Sequence, residues 1–155
     1  MDPLTPAERS AMMARIKGSN TAPELAVRRI AHAAGYRFRL HGAISRTARG
    51  AAARTAPDVR LRGGRLPGRP DLVFASRHKV VLVHGCFWHR HDCPAGLRTP
   101  GTNTAFWVDK RLRNVERDAR QLEQLRALGW EPLIVWECQL KDPEAVLREL
   151  AAFLG

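Results

Sequence analysis

The segment HGCFWHRHDCP, residues 84–94, packs Cys86, His89, His91 and Cys93 into one short stretch. Cys138 closes a later apolar run, and the chain has 3 cysteines in all. Cys86, His91, Cys93 and Cys138 together offer three thiolates and one imidazole, a set that suits tetrahedral zinc. The spacing is not that of a CxxC knuckle. Zinc is favoured instead by the use of every cysteine and by residues 86–103, a loop too polar to pack itself, which a metal would pin to the last strand. Spacing alone leaves His89 open as a competing ligand; choosing His91 leaves His89 free. The plainer alternative is three free thiols and an exposed histidine. An odd cysteine count without a secretory signal argues against a disulfide framework.

A second group surrounds Pro70-Asp71, which opens an apolar strand after the turn LPGRPD. A carboxylate at a strand end beside a second strand can hold a hard divalent cation such as magnesium when a phosphate supplies further oxygens. A lone Pro-Asp is more often a solvated turn, and His84 and His89 shift that balance. His84 ends the neighbouring strand and His89 follows within a turn. An imidazole near a water on the metal can act as general base, because its pKa lies near working pH. Phe87-Trp88 sits between these groups and Phe106-Trp107 opens a helix. Such pairs can stack on bases or wedge between them, or simply pack in a core.

The elements that must position these residues follow from local pattern. Residues 5–17 read as a helix with Thr5 as cap, Pro6 in the first turn and Glu8 completing a capping box; Gly18 stops it. A second helix spans 22–34, with Thr21 or Ala22 before Pro23, Gly35 as stop, and Leu25, Ala26, Ile30 and Ala33 on one face. Residues 36–40 alternate like a strand. Residues 42–68, rich in Gly, Ala and Arg, read as a basic mobile loop with at most a short strand at 59–61. Residues 71–75 and 79–85 are apolar strands in a hairpin or close neighbours. A long helix covers 106–129, capped by Asn103 or Thr104, with Val108, Leu112, Val115, Leu122, Leu125 and Leu128 recurring along it. A strand at 132–137 and a helix at 142–154 capped by Asp142 close the chain. The order predicts an α/β mixed sheet flanked by helices.

The chain has 155 residues, enough for one domain with a real core, and 45% hydrophobic content. No apolar run approaches the roughly 20 residues of a membrane helix. The N-terminus lacks the basic-then-apolar order of a secretory signal, which makes a cytoplasmic protein the default. A net charge of +11 favours polyanionic partners. A GC-rich genome explains the preference for Arg over Lys but not the shortage of acids.

LPGRPD (66–71), HGCFWHRHDC (84–93), TAFWVDKRLRNVERD (104–118) and LGWEPLIVWEC (128–138) resemble, in order and spacing, the bacterial very short patch repair endonucleases. Residues 9–39 look like that family's leading helices, so the resemblance covers nearly the whole chain. It implies a restriction-endonuclease-like fold. The chain reads as a single endonuclease domain over 1–155, monomeric, with 1–20 as a helical arm and 42–65 as a basic loop insertion. The resemblance implies nicking of double-stranded DNA 5′ of the thymine in a T·G mismatch, the product of 5-methylcytosine deamination, with mismatch-repair proteins as possible co-workers. Magnesium would be held by Asp71, and zinc by Cys86, His91, Cys93 and Cys138. His89 would be the general base, with His84 and Asp118 assisting; which histidine is the main base stays open. Glu24 matches an acid near the active site, and Asn114 a residue close to the DNA. Phe87, Trp88 and Trp107 match aromatics that wedge beside the mismatch, where a wobble pair unstacks more readily. Related nucleases usually carry an acid and a lysine on the second catalytic strand. VVLVHG has neither, and the carbonyl of Val83 is the expected substitute metal oxygen. The stretch 43–64 is longer than the family pattern leads one to expect and reads as a tolerated surface insertion, with added non-specific phosphate contacts or an altered sequence context as the alternatives.

Two other readings compete: a zinc module that only binds DNA, and a less specific nuclease of the same fold. A pure binder has no need of Asp71, His84 and His89 together. Equal cutting of matched and mismatched duplexes would favour the second.

Overall fold

The computed structural model describes residues 4–15 and 18–155. Ten helices and strands run in the order α1 Pro6–Ala14, α2 Ala22–Ala33, β1 Arg39–Leu40, α3 Arg46–Thr55, β2 Leu72–Phe74, β3 Lys79–His84, α4 Pro94–Leu97, α5 Thr104–Ala127, β4 Glu131–Trp136 and α6 Pro143–Leu154. The strands form one mixed sheet in the order β1-β2-β3-β4. β1–β2 and β2–β3 are antiparallel, so 72–84 is the expected hairpin, while β3 and β4 are parallel. A parallel pair needs a long crossover, and α4 and α5 supply it.

Strand alternation sends side chains to two cores. Leu72, Phe74, Val81 and Val135 face α2 and α6, meeting Val27, Ala31, Val146, Leu150 and Leu154. Val73, Val80 and Leu82 face the other way, onto Leu125, Leu128 and Trp130 at the end of α5 and onto Ile44, Ala52 and Leu66.

Several expectations need correction. The strand at 36–40 shrinks to Arg39–Leu40, because Tyr36 and Phe38 pack their rings edge-on against Phe74 instead. The buried face of α2 is Glu24, Val27 and Ala31, whereas Ala33 is exposed. Residues 42–68 are not a structureless loop. Ser45 caps α3 through its hydroxyl, Ala52 is buried, and Ala43 bridges to Arg65; no strand forms at 59–61. Alanines every few residues give a helix whose buried face is too small to show as an apolar period. Neither Asn103 nor Thr104 caps α5 with its side chain; the Thr104 hydroxyl donates to the Pro100 carbonyl instead. Along α5, Leu122, Leu125 and Leu128 pack inward, but Val108, Leu112 and Val115 are exposed. The capping box of Thr5 and Glu8 forms as expected; residues 16–17 of the first predicted helix lie outside the described residues.

Candidate active site

Asp71 stands just ahead of β2, and its Oδ2 accepts a 2.6 Å hydrogen bond from the Val83 N–H. Glu24 arrives from α2, where it is only 6% exposed. Thr21 caps that helix, and the Glu24 carboxylate turns back to accept from the Asn20 N–H (2.8 Å) and from Arg28 (3.3 Å). His41 completes the group: ligand atoms of Glu24, His41 and Asp71 lie within 4.8 Å of one another. The turn carrying His41 is built onto the start of β2. His41 and Gly42 donate their N–H groups to the Asp71 and Pro70 carbonyls, and a Cβ on Gly42 would come within 3.0 Å of the Arg69 backbone.

Burial pushes the Asp71 carboxyl up to about 6; the Val83 hydrogen bond opposes this and the Glu24 charge adds to it. Two acids forced together out of water are what a hard cation relieves, and oxygen donors are what it takes. The Glu24 and Asp71 carboxylates fit a hard divalent cation.

The second group lies on the α5 side of the same strand end. His84 is 6% exposed, and its ring stacks on His89 at 3.8 Å between centroids and 7° between planes. His89 Nδ1 lies 2.5 Å from Asp118 Oδ2, with both side chains mostly buried. Asp118 sits on α5, one helix turn before Gln121, whose side chain lies against Gly68. Burial, then the neighbouring His89, push His84 down to about 4, so its imidazole is neutral near pH 7. Its Nδ1 is buried and has no partner among the described residues. The expected residues therefore fall into two clusters flanking the tip of β3, and not one: Glu24 and Asp71, joined by His41, and His84–His89–Asp118.

Cys86, His91, Cys93 and Cys138 bring their ligand atoms within 4.8 Å of one another, as the sequence suggested, and His89 belongs to the other cluster. The Cys138 N–H donates to Cys86 Sγ and the Gly96 N–H to Cys93 Sγ, both at 3.4 Å. Burial and the adjoining thiols push Cys86 up to about 12. Three crowded sulfurs cannot all ionise alone, whereas a bound zinc favours the thiolates that these N–H groups are placed to stabilise. Gly96 is required here, because a Cβ would fall 1.8 Å from the His91 carbonyl oxygen.

Phe87, Trp88 and Trp107 form an aromatic ridge with centroids 5.2–5.9 Å apart, half-buried, and Lys110 lies over Trp88 and Trp107. Phe106 extends it and is 58% exposed. Asn114 donates from Nδ2 to the Trp88 carbonyl at 2.9 Å, fixing the ridge to α5.

Sequence reasoning missed three residues. His41 follows a strand and precedes a glycine, a turn signal, but nothing local shows that the turn folds back on Asp71. Trp136 stacks on His91 (4.2 Å, 18°) and meets His84 edge-on (5.3 Å), so one ring separates the thiol cluster from the histidine pair. Alternation along β4 could have marked it, since Val135 faces the core and Trp136 must face away. Arg111 is buried, lies over the Phe87 ring, and donates to the Arg98 and Gly96 carbonyls, tying α4 to α5.

A mixed sheet that presents paired acids and a carboxylate-held imidazole at one strand tip, beside a separate thiol cluster, defines a hydrolytic α/β domain with places for metal. The family model described as DNA mismatch endonuclease Vsr matches residues 1–48 and 52–95. The Type II nicking enzyme V.XorIIP of Xanthomonas oryzae pv. oryzae is 39% identical over 153 residues, 99% of this chain and 96% of its own. The DNA mismatch endonuclease Vsr of Escherichia coli is 47% identical over 90 residues, 58% of this chain and 57% of its own. The Type II nicking enzyme V.NmeAIP of Neisseria meningitidis is 34% identical over 148 residues, covering 96% and 89%. The chain belongs to the Vsr family of DNA mismatch endonucleases, enzymes that hydrolyse phosphodiester bonds in DNA. No helix among the described residues is long and apolar enough to cross a membrane.

Proposed function

We propose that this endonuclease nicks one strand of duplex DNA 5′ of the thymine in a T·G mismatch, initiating very short patch repair, within a restriction-endonuclease-like fold. The observation that carries the reading is the His89–Asp118 pair at 2.5 Å, stacked through His84 onto the strand tip that also holds Asp71. Asp71, with Glu24 beside it, would hold magnesium, which when bound polarises the phosphate and lowers the charge cost of attack. Val83 adds a carbonyl on the same side. Its N–H points at Asp71, and in an extended strand the N–H and C=O of one residue point the same way.

Asp118 on Nδ1 keeps the proton of neutral His89 there and leaves Nε2 with its lone pair, the state a general base needs. His89 takes the proton of the attacking water through Nε2. His84, neutral and stacked on His89, would assist at the phosphate without adding charge. Phe87, Trp88 and Trp107 unstack the mismatch, with Asn114 and Lys110 supporting the ridge. Cys86, His91, Cys93 and Cys138 would hold a structural zinc, which when bound would fix the 86–98 loop, and so the aromatic ridge and His89, to the end of β4.

The test is a set of duplexes differing only at one pair. With magnesium, T·G is nicked on the thymine strand, 5′ of the thymine, and matched duplexes are left intact. Equal cutting of matched duplexes would replace this reading with a less specific nuclease, and binding without cutting would replace it with a DNA-binding module.

A further inference from the structure

Residues 43–69 carry seven arginines (46, 49, 54, 60, 62, 65 and 69) against Asp58 as the one acid. A single segment thus supplies about half of the net charge of +11. Arg46, Arg49 and Arg54 project from α3, and Arg60 and Arg62 follow; all five are exposed, and none forms an ion pair among the described residues. The helix commits only Ala52 fully to the core. It contributes little apolar burial, and its exposed positions are Arg46, Arg49 and Arg54 with Thr47, Ala53 and Thr55, so every charge on it is positive.

This segment is anchored beside the candidate active site. Its first residues hang from the Pro70 carbonyl through Gly42 and from the Ala43–Arg65 bridge. Arg65 donates to the His41 carbonyl at 2.8 Å, and Arg49 lies across Gly64, where a Cβ would meet its guanidinium at 2.6 Å. At its far end Gly68 abuts Gln121, one turn along α5 from Asp118. Ile44, Ala52 and Leu66 share a core with the end of α5, so the segment lies on the sheet face that carries Asp118, Asn114 and Trp107. The family match lapses over 49–51, in the middle of α3.

We infer that residues 46–62 form a second DNA-backbone contact, in which Arg46, Arg49, Arg54, Arg60 and Arg62 bind phosphates of the duplex flanking the nicking site, independent of its sequence. Guanidinium groups pair with phosphate oxygens in a fixed fork. Each phosphate neutralised releases counterions, which gives the interaction a salt signature that a solvated charged face lacks. The inference rests on duplex DNA as the substrate, and it concerns affinity, not mismatch choice.

The test is equilibrium binding of full-length protein to a matched and a T·G duplex over a series of salt concentrations. R46Q/R49Q/R54Q should make the slope of log K against log salt shallower by up to about 2.7, at about 0.9 for each phosphate left without its guanidinium. The loss should be the same for both duplexes, and R46K/R49K/R54K should restore the slope. R60Q/R62Q, outside the helix, gives an independent reading should α3 not tolerate three changes. A wild-type slope in both glutamine variants overturns the inference. So does an equal loss per charge in K141Q/R148Q, exposed charges on the opposite side of the sheet, since that would be a net-charge effect. The slope is read from binding alone, so failure here is distinct from failure of the wild type to nick T·G.

Discussion

His89 Nδ1 and Asp118 Oδ2 lie 2.5 Å apart, joining a residue of the loop after β3 to the middle of α5. The contact fixes which ring nitrogen is free, and with His89 as the proposed base it would make the long crossover helix part of the chemistry. Asp118→Asn should lower the single-turnover nicking rate about 100-fold or more, the usual scale of a general base, with little change in DNA affinity. A near-wild-type rate would remove Asp118 from the account.

Asp71 links metal binding to pH. Its carboxyl, pushed up to about 6 by burial and by Glu24, is largely protonated below that pH in the metal-free protein. Ion binding needs the carboxylate, so below about 6 a proton is released as the ion binds, and affinity falls with decreasing pH. The same shift acts on stability. The folded state binds more protons than the unfolded one between the ordinary carboxyl pKa of 3.8 and about 6, so metal-free stability falls as pH rises through that window. Calorimetric magnesium titrations at pH 5 and 7.5, in buffers of different ionisation enthalpy, read the proton directly. Equal affinity at both pH values would contradict the assignment.

The thiol cluster should hold about one zinc per chain, consistent with its four donors. Cys138→Ser and Gly96→Ala should both lose zinc and lower the melting temperature, the second because its Cβ has no room beside the His91 carbonyl. Metal analysis of the purified variants checks this. A fully folded, active, zinc-free preparation would make the cluster incidental.

Much of this was legible in the sequence because it is local. The Cys/His segment, the hairpin strands and the capped helices α1, α2 and α6 are written in short-range pattern. Residue types pointed to the four-donor grouping, while the choice of His91 over His89 stayed open until the fold brought the ligand atoms together. What was not legible depended on distance in the chain: His41 folding onto Asp71, Trp136 between two clusters, and Arg111 reaching back to the carbonyls of residues 96 and 98. α3 escaped because alanines pack a helix without an apolar period, and the exposed half of α5 looked buried because its valines and leucines keep that period.

Asn114→Ala should leave the Trp88 carbonyl without its donor and loosen the aromatic ridge. One such hydrogen bond is worth about 1 kcal/mol. The rate on T·G at subsaturating DNA should therefore fall by roughly 5–10-fold, with matched-duplex binding unchanged. Competition binding with matched DNA separates this from a general loss of affinity.

The most direct test is Asp71→Asn, a change that keeps shape and removes the charge, assayed by single-turnover nicking of a T·G duplex with saturating magnesium. DNA binding should persist while nicking disappears and magnesium affinity drops with it. Cleavage at the wild-type rate by this variant would show that the strand-tip carboxylate is not the seat of the reaction.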